Sequence, residues 1–202
     1  MKLLRRTVFL FSLGLLLLLS AQPAQTQRGA LILQQNLAEL VEEAETIVVG
    51  HVLSARAEKH PQFKNLNTVV VTLRVSDVWK GAPGPTFTFR QYVWDIRDVG
   101  TTLGYGKGQE VLLLLIKPSR YGLSSPAGLD QGRFRILRDR QGKRFVVNGY
   151  QNRGLFRGVS AQARQKGIDL SSGPARLVET HQRGPVALDQ LKTLVQQLAR
   201  TN

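Results

Sequence analysis

Six cations crowd one short stretch of this chain: Arg133, Arg135, Arg138, Arg140, Lys143 and Arg144. In Arg133-Phe134-Arg135-Ile136 the two-residue period of a strand sends both arginines to one face and Phe134 and Ile136 to the other. Lys143 and Arg144 fall on a partner strand beyond Asp139-Arg140-Gln141-Gly142, a hairpin turn with glycine at the left-handed position. Arg138 and Arg140 stand near its tip. Positive side chains grouped within about 10 Å attract phosphate or sulfate groups along a polymer, and guanidinium forks bind them bidentately. Arg153 and Arg157 follow in the next segment and extend the same basic region.

Residues suited to catalysis are scarce. The three histidines are far apart in sequence: His51 within a strand beside Gly50, His60 before Pro61, and His181 in an arginine-rich stretch. None forms a short metal-ligand spacing, so each reads as a surface or hydrogen-bonded histidine. No serine sits in a Gly-x-Ser-x-Gly elbow, and Ser124-Ser125-Pro126 reads as a turn. Gly104-Tyr105-Gly106-Lys107-Gly108 precedes a strand where a phosphate-cradling loop would open a helix, so it reads as a hairpin loop. Asp95, Asp98 and Asp130 lack the alternating Asp/Asn pattern of a calcium loop and read as solvated loop residues. The chain has no cysteine, which excludes disulfides, thiolate metal sites and cysteine nucleophiles. No catalytic group, metal or cofactor is expected.

The net charge of +14 is unevenly spread. Residues 22–131 hold 11 basic and 10 acidic side chains, whereas residues 132–202 hold 14 and 4. Such a surplus either concentrates polyanions near the surface, weakening with salt, or reflects composition and serves solubility only. Single-strand nucleic acid also wants aromatic platforms, and only Tyr92, Trp94, Tyr150 and Phe156 offer themselves as exposed rings. Nucleic acid is therefore the poorer partner. An anionic polysaccharide, lipopolysaccharide or an envelope protein is the expected class.

The elements that must position these groups follow from periodicity. Residues 1–21 form a secretory signal: Lys2, Arg5 and Arg6, an apolar run from Val8 to Leu19, then Ser20 and Ala21. That run falls short of the roughly 20 residues a spanning helix needs, so removal is expected, leaving an exported chain, periplasmic or extracellular. Residues 22–36 read as a flexible leader. Leu37, Leu40, Val41 and Ala44 make one stripe of a short helix. Residues 46–57, 68–80, 86–92 and 110–117 read as strands. Gly50 marks a bend or a close backbone approach, and the slip from Val75 to Val78 marks a bulge. The continuously apolar 110–117 run fits a central strand buried on both faces. Residues 132–137 and 143–148 flank the hairpin turn. Residues 149–184, rich in Gly, Gln, Ser and Arg, read as a long loop or partly ordered linker, and Leu188, Leu191, Leu194, Val195 and Leu198 stripe an amphipathic helix over 185–200.

A mainly β fold follows: a small OB-like antiparallel barrel over 37–148, with a short helix before it and an amphipathic helix at the C-terminal end. The pattern from Leu40-Val41 to Gly50, Val69 to Lys80-Gly81, Gly108 to Leu115, and Gln131-Gly132 to Phe134 resembles a widespread set of exported, uncharacterised bacterial proteins. That set is similar to the OB-type barrel of netrin-like modules and tissue inhibitors of metalloproteinases. In those inhibitors an N-terminal cysteine binds the target's zinc; with no cysteine here, the resemblance implies the barrel and not the inhibition. The expected function is a non-enzymatic binding or interaction module that contacts anionic envelope polymers through the basic C-terminal region. The alternative is a protein–protein module, such as a protease inhibitor or envelope scaffold, using the loop of residues 95–108.

Overall fold

The computed structural model describes residues 33–93 and 105–200. The expected signal, most of the expected leader, Trp94, Asp95 and Asp98, and most of the 95–108 loop lie outside the described residues. Helix α1 (Leu37–Glu43) starts at a capping box, in which the Asn36 side chain accepts from the Glu39 amide at 3.1 Å and the Glu39 carboxylate accepts from the Asn36 amide at 2.7 Å. Its Leu37, Leu40 and Val41 are buried as the stripe requires. Residues 33–36, expected to be flexible, are pinned: Gln34 donates to the Arg153 carbonyl and the Gln35 amide donates to the Gln131 side chain.

Seven strands follow: β1 (Ala44–Lys59), β2 (Asn67–Lys80), β3 (Thr86–Tyr92), β4 (Glu110–Ile116), β5 (Arg133–Arg138), β6 (Arg144–Asn148) and β7 (Val186–Ala187). They form one antiparallel sheet in the order β3-β2-β1-β4-β5-β6-β7. The fold is mainly β, but the expected barrel is not closed, since β3 and β7 stand at opposite edges. Residues 117–128 reach the β3 edge, where the Ser124 amide donates to the Arg90 carbonyl and a single bridge joins Arg90 to Leu123. Pro118 and Pro126 bound this segment and carry no amide hydrogen, so it does not extend into a ladder strand.

The sheet separates two cores. On one face Ile47, Val49, Leu112, Leu114, Phe134 and Val146 pack with α1 and the C-terminal helix. On the other, Val48, Val52, Val69, Val71, Leu73, Phe89, Val111, Leu113 and Leu115 form a smaller core within the curl of β1–β4. Strand β4 is thus buried on both faces, as its unbroken apolar run implies. The bulge also falls where the phase slips: Val49 pairs with Asp77 and Gly50 with Val75, leaving Ser76 unmatched. At Gly50 a Cβ would stand 2.8 Å from the Arg74 carbonyl oxygen, so the backbones approach too closely for any side chain.

Residues 149–184 differ most from expectation. A run of turns leads into α2 (Val159–Gln165) and α3 (Ser172–Thr180), and β7 runs directly into α4 (Leu188–Ala199). This stretch is ordered because a few apolar side chains, Leu155, Phe156, Val159 and Ala163, join the main core. Among the described residues no helix is long and apolar enough to cross a membrane.

Helix α4 is tied to β2 by Asp77, which accepts from Lys192 Nζ at 2.6 Å and from the Trp79 indole at 2.9 Å. Burial alone would raise the Asp77 carboxyl, but these two donors and the ammonium charge outweigh it and hold the carboxyl below its ordinary value. A depressed carboxyl stabilises the fold above the unfolded-state value, about 3.9, and loses that contribution as pH falls below it. Asp77→Asn is expected to lower Tm at pH 7, with the gap to the parent closing as pH falls below about 4. Thermal melts across that fall in pH check it; a gap independent of pH contradicts it.

Candidate functional site

The β5–β6 hairpin forms as its sequence requires. Gly142 takes φ +80°, and Asp139 Oδ1 accepts from the amides of Gln141 and Lys143, both at 2.9 Å. Arg133 and Arg135 share one face of β5, while Phe134 is buried on the other. The cations, however, are only partly available. Arg138 and Arg144 sit opposite each other in the register and both bind the Glu110 carboxylate, at 2.6 and 3.1 Å. Glu110 is only 9% exposed in its side chain, so the hairpin brackets a carboxylate that the sequence reading left out. Arg133, 13% exposed, pairs with Asp130 and lies 5.3 Å over the Tyr105 ring. Burial pushes the Tyr105 phenol upward, and its hydroxyl donates to Gln91 at 3.0 Å. Arg135 and Arg140 are exposed and make no ion pair among the described residues; exposed Lys143 lies 5.6 Å from the centre of the Phe145 ring.

Arg153 and Arg157 lie elsewhere, on a groove of about 510 Å³ that also takes in Phe156, Glu179, His181 and Arg183. None of Arg153, Arg157 and Arg183 makes an ion pair among the described residues. The walls come from two separated segments, residues 153–157 and 178–183.

Two asparagines lock those segments together. Asn148 and Asn152 exchange bonds, each amide donating to the other's Oδ1 at 2.9 and 2.8 Å. Asn152 Nδ2 also donates to the carbonyls of Val146 (2.9 Å) and Gly184 (2.8 Å), while the Gly184 amide donates to Gln151 at 2.7 Å. Gln151 and Asn152 adopt φ near +55°, a left-handed pair that asparagine tolerates and most residues resist. Edge-on contact between Phe156 and His181, 5.5 Å between ring centres, adds a further tie. The signal was present as Asn148-Gly149, at the end of the strand, and Asn152-Arg153-Gly154, inside the segment read as a linker, both turn-forming pairings.

The other candidate groups are accounted for by packing. Phe156, expected as an exposed ring, is buried, while Tyr92 and Tyr150 are exposed. His60 is buried and joins two loops: Nδ1 accepts from the amides of Gln62 and Phe63, and Nε2 meets the Tyr121 carbonyl at 2.9 Å. Among the described residues no group of three or more His, Cys, Asp or Glu could hold a metal ion. Comparison with protein-family models, with curated proteins and with solved structures gives no match.

Proposed function

We propose that this chain is an exported, non-enzymatic binding module that contacts anionic polymers through its basic C-terminal third. The observation that carries the reading is the gathering of Arg153, Arg157 and Arg183 around one groove with no carboxylate paired to any of them among the described residues. Arginine left without an internal partner on a fixed surface retains its full capacity for phosphate or sulfate. Exposed Arg135, Arg140 and Lys143 supply a secondary patch. In this reading residues 37–148 are the OB-type, netrin-like module, and the basic segment after residue 148 is an addition to it.

The test is salt elution from immobilised heparin and from lipopolysaccharide. The parent protein is expected to bind at low salt. Replacing Arg153, Arg157 and Arg183 together with glutamine should lower the slope of log affinity against log salt by about two to three. Glu110→Gln should act in the opposite sense, releasing Arg138 and Arg144 and raising the eluting salt. Passage of the parent through both matrices at low salt, or an arginine triple variant that elutes with the parent, overturns the reading.

A further inference from the structure

The groove between residues 153–157 and 178–183 also has room for a compact ligand, such as one unit of an anionic polymer. Ligand sites for small molecules run from roughly 300 to 1,000 Å³, and this one, at about 510 Å³, sits inside that range. A bare inorganic anion would leave most of it empty. Its lining is also not uniformly basic. Glu179 stands in the same wall region as Arg183, with Gln182 between the two charges in number and chemistry. A carboxylate repels a dense run of sulfates or phosphates, yet it accepts hydrogen bonds from hydroxyl groups, as an amide side chain both accepts and donates them.

Three guanidinium groups, a carboxylate and an amide around one groove offer partners both for an anion and for hydroxyl groups. We propose that the groove takes a single sugar ring bearing a phosphate or sulfate ester, with Arg153, Arg157 and Arg183 on the ester and Glu179 and Gln182 on the ring hydroxyls. This rests on the reading of the basic region as an anion-binding surface and narrows it to one pocket. The walls are held in place before any ligand arrives. Asn152 donates to the Gly184 carbonyl, Gly184 donates back to Gln151, and His181 Nε2 meets the Gly184 carbonyl at 3.1 Å. Cross-links of this kind fix the backbone of both walls, so binding has only the side chains left to order.

The experiment is calorimetric titration of the full chain with glucose 6-phosphate, glucose 6-sulfate, inorganic phosphate and glucose. At least one ester is expected to saturate a single site, with inorganic phosphate at least tenfold weaker and glucose not binding; the tighter ester identifies the anion. Arg157→Gln and Arg183→Gln should each weaken the ester at least tenfold, whereas Arg74→Gln, at an exposed position on β2 outside the basic third, should leave it unchanged. Glu179→Gln should tighten inorganic phosphate and narrow the preference for the ester. No saturation by either ester, equal affinity for phosphate and ester, or binding indifferent to Arg157 and Arg183 overturns the inference. Heparin retention that persists without ester saturation removes the pocket alone, whereas loss of both removes the broader reading as well.

Discussion

Asn152→Ala is expected to destabilise the protein by about 3–5 kcal/mol, a severe effect for one polar side chain. Asn152 is fully buried, and its side chain serves three backbone groups: it accepts from the Asn148 amide and donates to the carbonyls of Val146 and Gly184. Alanine removes all three partners where little water can enter, and each stranded group costs roughly 1–3 kcal/mol before relaxation. It also places a Cβ-bearing residue without a polar side chain at φ +55°. Asn152→Gly separates the two costs. It loses the same hydrogen bonds but accepts the backbone conformation, so it should be about 1 kcal/mol less damaging than alanine. Urea denaturation of the two variants checks this; a loss below 1 kcal/mol for alanine, or glycine worse than alanine, contradicts the role assigned to the side chain.

Phe134→Ala should cost a similar amount for a different reason. Phe134 lies on β5 between Leu112 of β4 and Asn148 of β6, and no part of it reaches solvent. It projects into the main core, where truncating a buried phenyl ring forfeits its transfer energy and leaves a cavity, about 3–5 kcal/mol together. Phe134→Leu refills much of that space and should cost less than half as much. The denaturant midpoint should fall in both with the m-value unchanged, because the surface exposed on unfolding is nearly the same. Equal losses for alanine and leucine would show that the ring fills no core volume.

The fold was largely legible where side-chain period and burial coincide. Strand β4 announced itself because a strand covered on both faces has no polar alternation left, and Leu112 and Leu113 duly belong to opposite cores. The bulge near Ser76 was legible because an inserted residue must shift the phase of every side chain after it. Helices α2 and α3 were not. Helix α2 buries only Val159 and Ala163, and α3 buries Pro174 with Leu177 and Val178 packed half-buried against the core, so each spans about two turns, too few for its apolar side to stand out among the surrounding Gly, Ser and Arg. The barrel expectation failed because closure depends on where the chain goes after β4. Proline-bounded residues 117–128 reach β3 with one bridge instead of a strand, a distinction that local pattern does not encode.

The site was legible in composition and not in pairing. Arg138 and Arg144 stand out as charges, but their joint partner Glu110 lies on another strand, and only the register of β4, β5 and β6 brings the three together. Arg183 is distant in sequence from Arg153 and Arg157, and meets them across a groove held by buried amide bonds from Asn152. Amide cross-links of that kind join segments by shape and hydrogen-bond direction. They leave no hydrophobic period to read.

The packing of α1 against α4 also bears on time. The apolar stripe of α1 opens the described chain, and the residues that cover it, Leu191, Leu194, Val195 and Leu198, stand near its far end. Contacts this remote in sequence require the whole intervening loop to be closed before they return any energy, which slows folding. Until residues 188–198 have joined α1 the main core is incomplete, and the smaller core within β1–β4 is the one that local strand pairing can build first. For a protein exported as proposed here, that delay is the interval in which it can still pass a translocation pore.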